Sequence, residues 1–312
     1  MINRTAVYGS TKMKVKGKEM ANKEIKIGDY TICENSRPYM IAEIGINHNG
    51  DMDIAKKLID AANATGWNNV KFQKRTPEIA VPEAQKNVMR ETPWGTMTYL
   101  EYKYRVEFEK EQYDVIDAYC RDKGMTWSAS PWDMPSLEFL LNYDIPYIKV
   151  ASASNGRDEM IAEAARSGKP VILSTGMTTM EEIDHAVEVL EKNGKGDYIL
   201  LHTNSAYPAP VKDLNLRMIE TLRKRFDCLV GYSGHESNME PTIAAAVLGA
   251  CVIERHVTLS HEMWGSDQKA SLEVHAMDML NKRIQTVCDA LGTGEKYMSE
   301  SEAAQRKKLR TT

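Results

Sequence analysis

Two histidines end successive apolar runs late in this chain. His235 closes CLVGYSGH (228–235) and His256 lies in CVIERHVT (251–258). Neutral imidazoles ligate Zn, Mn or Fe, and neighbouring strands would bring the pair to one ion. The competing reading is two hydrogen-bonded core histidines. His202, in YILLHTN (198–204), is an alternative ligand. Two or three histidines leave coordination positions for water or substrate, as a catalytic metal requires. Two lysines also interrupt apolar runs, Lys71 in NVKFQKR (69–75) and Lys149 in YIKVASA (147–153). A buried ammonium needs a counter-charge. Glu43 or Glu254 can supply one; a small dianionic ligand held with Ser152, Ser174 and Ser233 is the other solution. Glu43 is a general acid/base, a hydroxyl acceptor, or the partner of one of these lysines.

These residues need a scaffold that gathers them. From Tyr39 onward, short apolar runs alternate with longer amphipathic segments, and YMIAEIGIN (39–47), TWSASPW (126–132) and PVILSTG (170–176) complete a set of eight with the five already quoted. Between them, Thr179 and Glu182 form a capping box. Ile183, Ala186, Val187 and Leu190 follow at helical spacing, and Gly194 is a stop. Met277, Leu280, Ile284, Val287 and Leu291 repeat the stripe before Gly292. Strict βα alternation predicts a parallel sheet clad by helices, and eight units predict a closed (β/α)8 TIM barrel with its site at the C-terminal strand ends. EIKIGDYTI (24–32) predicts a hairpin around Gly28 that covers the barrel bottom. The segment from Thr76 to about Glu109, with Trp94, Tyr99 and Tyr102, is a long insert after the second strand, where loops build active sites. The expected organisation is a tail at 1–20, a hairpin at 21–38, a barrel at 39–295 and a C-terminal tail at 296–312.

The bulk figures narrow the function. With 312 residues and a net charge of −4, the chain has room for a large core and no basic excess for nucleic acid. Its apolar runs are strand-sized, so no membrane span is expected. Five scattered cysteines, an odd number with no CxxC pair, predict free thiols and a cytoplasmic location. A homodimer is the default expectation for a soluble enzyme.

The same residues carry a resemblance. IAEIGINHNG (41–50), VKFQ (70–73), LSTGM (173–177), LLHTNSAYPAP (200–210), GYSGH (231–235) and IERHVT (253–258) resemble the sialic acid synthase family, in that order and across residues 36 to 295. The resemblance implies condensation of phosphoenolpyruvate with N-acetylmannosamine or a related sugar, giving a nonulosonic acid and phosphate. It implies His235 and His256 as ligands of a divalent metal, Mn2+ first, with Mg2+ or Co2+ as alternatives. It implies Lys71, Ser130, Lys149, Ser152, Ser174 and Ser233 as holders of phosphoenolpyruvate. Glu43, Gln73, Tyr207 and Asp267 match residues that line the sugar pocket or the reacting centre.

Three departures stand out. Ser154 occupies the place of a Glu that faces the sugar in some members, and Ser205 replaces a common Asn. The chain ends where the family usually continues into an antifreeze-like domain that caps a partner's barrel. The insert and MWGSD (263–267) are therefore expected to close the pocket. Two rival readings remain at this stage. One is a Schiff-base aldolase using Lys149 or Lys71, which predicts borohydride trapping. The other is a barrel that only binds a sugar acid or phosphate.

Overall fold

The computed structural model describes residues 23–34 and 36–310; the expected tail at 1–20 lies outside them. Among the described residues thirteen strands occur in chain order. β1 (Glu24–Ile27) and β2 (Tyr30–Cys33) form the antiparallel hairpin, turning at Gly28 with φ 57°. β3 (Tyr39–Gly45) and β4 (Asn69–Lys74) open the barrel. β5 (Met89–Thr92) and β6 (Gly95–Thr98) are a second hairpin. β7 (Thr126–Pro131), β8 (Ile148–Val150), β9 (Val171–Ser174), β10 (Tyr198–Thr203), β11 (Leu229–Gly234) and β12 (Val252–Thr258) complete the barrel, and β13 (Leu272–Glu273) adds to β12. All eight apolar runs are thus strands. They pair in parallel in the order β7-β4-β3-β12-β11-β10-β9-β8. β7 and β8, the ends of that path, lie side by side, joined by Ser128 Oγ donating to the Tyr147 carbonyl at 3.0 Å.

Alternation along each strand sorts the residues. One parity faces the helices: Met40, Ala42, Val70, Phe72, Leu173, Leu200, Val230 and Ile253 pack on helices such as Met52–Ala64, Met180–Asn193 and Val274–Leu291. The other parity fills the barrel. Its lower layer is apolar and includes Ile41, Ile172, Ile199, Leu201 and Val252, closed from below by Ile25, Ile27 and Ile32 of the first hairpin. The expected bottom cover is therefore present, and each buried isoleucine stabilises it by roughly 1.5–3 kcal/mol. Above that layer the interior turns polar, which is unusual for barrels filled by branched apolar side chains.

The helix signals read correctly. Thr179 and Glu182 form a reciprocal capping box at the start of Met180–Asn193, and Gly194 caps its end. The insert is more ordered than its sequence indicates. It holds short helices at Pro77–Ala80 and Glu83–Lys86, the β5–β6 hairpin, and a helix at Tyr99–Val106 capped by Thr98 and Glu101. The segment read as a C-terminal tail contains a helix, Glu300–Leu309, started by a Ser299–Glu302 capping box and buried at no residue. All five cysteines are free thiols.

Candidate active site

The site lies where the interior residues of β3, β4, β7, β8, β9, β11 and β12 reach the C-terminal end of the barrel. Parallel register sets Glu43 beside both Lys71 and His256, Gln73 beside Ser130, and Ser233 beside Glu254. Lys71 pairs with Glu43, lies 3.7 Å from Glu254 Oε2, and donates to Ser130 Oγ at 2.9 Å. Lys149 donates to Ser174 Oγ at 2.6 Å and lies 3.8 Å from Glu254 Oε1. Ser233 Oγ donates to that same oxygen at 2.9 Å. Five of the six residues expected around an anion, Lys71, Ser130, Lys149, Ser174 and Ser233, therefore form one buried network. Glu254, foreseen only as a lysine's counter-charge, is its hub. Its place in the sequence was readable in retrospect: it shares parity with His256, one layer lower on β12.

Burial pushes the Glu254 carboxyl up, but Lys149, Lys71 and Ser233 together outweigh it and hold the group down at about 2. Glu43 goes the other way. Burial dominates, Glu254 adds like-charge repulsion, and Lys71 compensates only in part, leaving it pushed up to about 7. The lysines diverge as well. Lys149 is pushed down to about 8, by burial first and by Lys71. Lys71 also resists burial, but Glu254 and Glu43 hold its ammonium above the ordinary range. Glu254 is thus the more acidic of the two carboxyls, and Glu43 the one whose proton affinity is raised.

His235 and His256 stand over this network with ring centroids 5.4 Å apart. The His235 Nδ1–H donates to the Asn204 carbonyl at 2.6 Å, which leaves Nε2 as the lone-pair nitrogen; Tyr207 Oη donates to it at 3.0 Å. Burial, and then His256, push His235 down to about 4, so it is a neutral imidazole at pH 7. His256 is likewise lowered, by burial first, and its buried Nδ1 has no hydrogen-bond partner. Asp267 Oδ2 lies 3.9 Å from that nitrogen. Two neutral imidazoles with an orphaned ring nitrogen fit a divalent cation of borderline character. Among the described residues no group of three or more His, Cys, Asp or Glu side chains forms a ligand set, so any cation there would retain positions for water or substrate. His202 is not a third ligand. It has the opposite parity on β10, packs beside Tyr232 outside the barrel, and its Nε2 is 2.6 Å from the Leu214 carbonyl oxygen.

Backbone geometry makes room for this convergence. Gly45 has φ 55° at an irregularity in the β3–β4 register. A Cβ there would lie 3.2 Å from both Gln73 Nε2 and Glu43 Oε1, and 3.4 Å from His256 Cε1. Only glycine tolerates that conformation and that proximity together. Gln73 donates to Glu43 Oε1 at 3.3 Å.

The two serines after β8 behave differently from the rest. Both lie in the 3-10 turn Ser152–Ser154. Ser152 Oγ accepts from the Gly176 amide at 3.1 Å, tying that turn to the end of β9. Ser154 is fully buried and its hydroxyl makes no hydrogen bond. It does not join the lysine–serine network.

The insert packs against the 263–267 loop at this end of the barrel. Trp94 and Tyr102 meet Trp264 edge-on, at centroid distances of 5.7 and 5.1 Å. Ile46, Val106, Met97 and Tyr99 fill in around them, and Asn49 donates to the Trp264 carbonyl at 2.9 Å. Asp267 is carried in on this loop.

The fold and site together define a (β/α)8-barrel protein whose C-terminal mouth holds a lysine–serine–glutamate cluster under two neutral histidines. More specifically, residues 58–296 match the NeuB family, and the chain belongs to that family. It is 39% identical over 249 residues to N-acetylneuraminate-9-phosphate synthase of Drosophila melanogaster, spanning 79% of this chain and 67% of that protein. It is 34% identical over 267 residues to N,N'-diacetyllegionaminic acid synthase of Campylobacter jejuni, spanning 84% and 80%. The crystal structure of N-acetylneuraminic acid synthetase from Leptospira borgpetersenii serovar Hardjo-bovis, in complex with citrate, matches with a TM-score of 0.82 at 30% identity, covering 93% of this chain and 99% of that one. No helix among the described residues is long and apolar enough to cross a membrane.

Proposed function

We propose that this protein condenses phosphoenolpyruvate with the open-chain form of an aldose, N-acetylmannosamine or a related sugar, to give a nonulosonic 2-keto-3-deoxy sugar acid and inorganic phosphate. The observation that carries the reading is the Lys71–Lys149–Glu254 cluster with its three serines, set directly beneath His235 and His256. Lys71 and Lys149 would take the phosphate and carboxylate of phosphoenolpyruvate, with Ser130, Ser174 and Ser233 as neutral hydrogen-bond partners. Glu254, its carboxyl kept acidic by Lys149 and Lys71, would hold both ammoniums in place. Glu43 would move the proton that the added water loses at C2 before phosphate departs. Asp267, Tyr207 and Gln73 would line the sugar side, and the insert excludes water. Holding two reactants face to face supplies much of the acceleration.

His235 and His256 would hold the divalent cation, Mn2+ first and Mg2+ or Co2+ as alternatives; when bound it polarises the aldehyde oxygen and raises the electrophilicity of its carbon. The test is phosphate release and product mass from Mn2+, phosphoenolpyruvate and a panel of aldoses and N-acetylated hexosamines. A product equal to sugar plus pyruvate is expected, lost with EDTA and in His235→Ala. Absence of phosphate release across the panel sinks the reading and leaves a binding barrel.

A Schiff-base reading draws on one observation, the lowered pKa of Lys149, since a neutral amine is the nucleophile. It requires irreversible labelling of Lys149 by aldehyde and borohydride, and indifference to EDTA. Lys71, held protonated, does not fit that role.

A further inference from the structure

The two histidines are flanked along the chain by a charged pair that faces away from the site. Glu236 follows His235, and Arg255 precedes His256. Arg255 shares its parity on β12 with Ile253 and Val257, which pack on the helices, whereas Glu254 and His256 face the interior cluster. Both side chains of the pair are fully buried, with Arg255 Nη1 3.2 Å from Glu236 Oε1. Among the described residues no hydrogen bond or ion pair links them to the lysine–serine network, and the proposed chemistry does not use them.

The pair is tied in from several sides. Glu236 accepts from Tyr232 Oη at 2.8 Å and from Thr242 Oγ1 at 2.7 Å. Arg255 Nη1 also donates to Thr242 Oγ1 at 2.7 Å and to the Asn238 carbonyl at 3.2 Å, and its Nη2 donates to the main-chain carbonyl of Glu236. A guanidinium on β12 therefore holds both the carboxylate and the backbone of the residue that follows His235. Thr242, on the helix Glu240–Val247, braces the junction from outside. Backbone pairing between β11 and β12 ends at Gly234 and Arg255, one residue short of both histidines. Past that point the ladder no longer sets the spacing of His235 and His256, and the ion pair takes over. Gly234 is matched to it. A Cβ there would lie 2.7 Å from Glu236 Oε2 and 2.9 Å from Arg255 Cδ, so only glycine lets the pair close over the strand end.

A buried ion pair is a poor source of stability, since apolar side chains of similar size fill such a site as well or better. What a planar guanidinium adds is fixed geometry. We propose that the Arg255–Glu236 pair is a positioning clamp that sets the two imidazoles for a divalent cation, so that its removal weakens the cation site while leaving the fold intact. This rests on the reading of His235 and His256 as the ligand pair. Groups behind metal ligands commonly carry about 10–100-fold of metal affinity. These two act through the main chain, because neither bonds to an imidazole. Their charges cancel, so the clamp adds no net repulsion beside the cation.

Mn2+ titration of the full chain, read by the EPR signal of free Mn2+ with thermal melting in parallel, tests the clamp. Wild type should bind Mn2+, and His235→Ala should lose it. Glu236→Leu combined with Arg255→Met removes both charges and strands neither. Its melting midpoint should stay near that of wild type while its Kd for Mn2+ rises about tenfold or more. Arg255→Lys keeps the charge but cannot grip the carboxylate and the carbonyl together, and its Kd should rise by more than about threefold. If the double variant does not fold, Arg255→Lys decides alone. A rise below about threefold in either folded variant assigns the pair to stability and overturns the clamp. So does an equal loss of phosphoenolpyruvate affinity measured in EDTA, which would mean that the whole barrel end has shifted. Failure of wild type to bind Mn2+, or binding that persists in His235→Ala, overturns the histidine reading and the clamp with it.

Discussion

Replacing Glu254 by Gln removes the hub of the buried network while keeping its shape. The amide oxygen can still accept from Ser233. Lys71 retains Glu43, but Lys149 loses the only carboxylate within 4 Å of it among the described residues. Both ammoniums are about 2% exposed, so water cannot substitute. Breaking a buried pair from one side costs about 3–5 kcal/mol. Lys149 has one escape, which is to release its proton. Its pKa is already down to about 8 in the intact network, by burial first, and would fall further without Glu254. The unfolded lysine titrates near its ordinary value of 10.5. The folded variant therefore binds fewer protons than the unfolded chain between its own lowered pKa and 10.5, and its stability rises with pH across that window. The loss relative to wild type should be largest near pH 6 and smaller near pH 9. Urea unfolding of both proteins at the two pH values measures it. Adding Lys149→Met to Glu254→Gln should recover a large share of the loss, giving a coupling energy well above the about 0.5 kcal/mol scatter of independent sites. A single variant within about 1 kcal/mol of wild type at pH 6, where a broken buried pair predicts several, would refute the network. So would a double variant whose losses simply add.

Three further expectations follow from the same geometry. Because Lys149 loses its proton near pH 8 in the free protein, the KM for phosphoenolpyruvate should climb about tenfold per pH unit above that value, while kcat at saturation stays flat; initial rates from pH 7 to 9.5 decide it, and a flat KM removes Lys149 from the anion site. His48 is buried against Phe108 at 3.9 Å and pushed down to about 3, by burial first and then by Arg75. Its stabilisation is complete above the unfolded value of 6.5 and drains away at up to ~1.4 kcal/mol per pH unit as pH falls toward 3, so His48→Leu should flatten the stability profile of wild type between pH 6 and 4; parallel slopes in urea melts contradict it. Trp264→Ala should cost about 3 kcal/mol or more by opening the aromatic cluster and should raise the sugar KM more than the phosphoenolpyruvate KM; equal effects on the two would mean that the insert does not cover the sugar side.

Much of this architecture was legible in one dimension. The eight strands, the helix from Thr179 to Gly194 and the bottom hairpin are written in local pattern: β-branched runs, capping residues and stop glycines act over a few residues, and no long-range contact opposed them. The grouping of these residues was legible too, because Lys71 and Lys149 inside apolar strands call for charged partners, and because strand parity alone places Lys71 with Gln73 and Glu254 with His256. Parity applied to β10 would likewise have sent His202 to the helix side.

What only the tertiary structure decided is which of these groups oppose one another. Local sequence does not say that Glu254, rather than Glu43, is the more acidic: both are buried carboxylates near lysines, and the difference is that Glu254 lies between two ammoniums whereas Glu43 meets one. Nor does it show that Ser154 turns away from the network while Ser174 enters it. The fold of the insert was hidden because its hairpin and helix are held by Trp264, about 170 residues beyond Trp94 in the sequence, and a contact at that separation leaves no periodic trace. A chain pattern records what each segment prefers by itself; the charges that end up a few ångströms apart, and hence their proton affinities, are set only when barrel closure brings distant segments into one dry mouth.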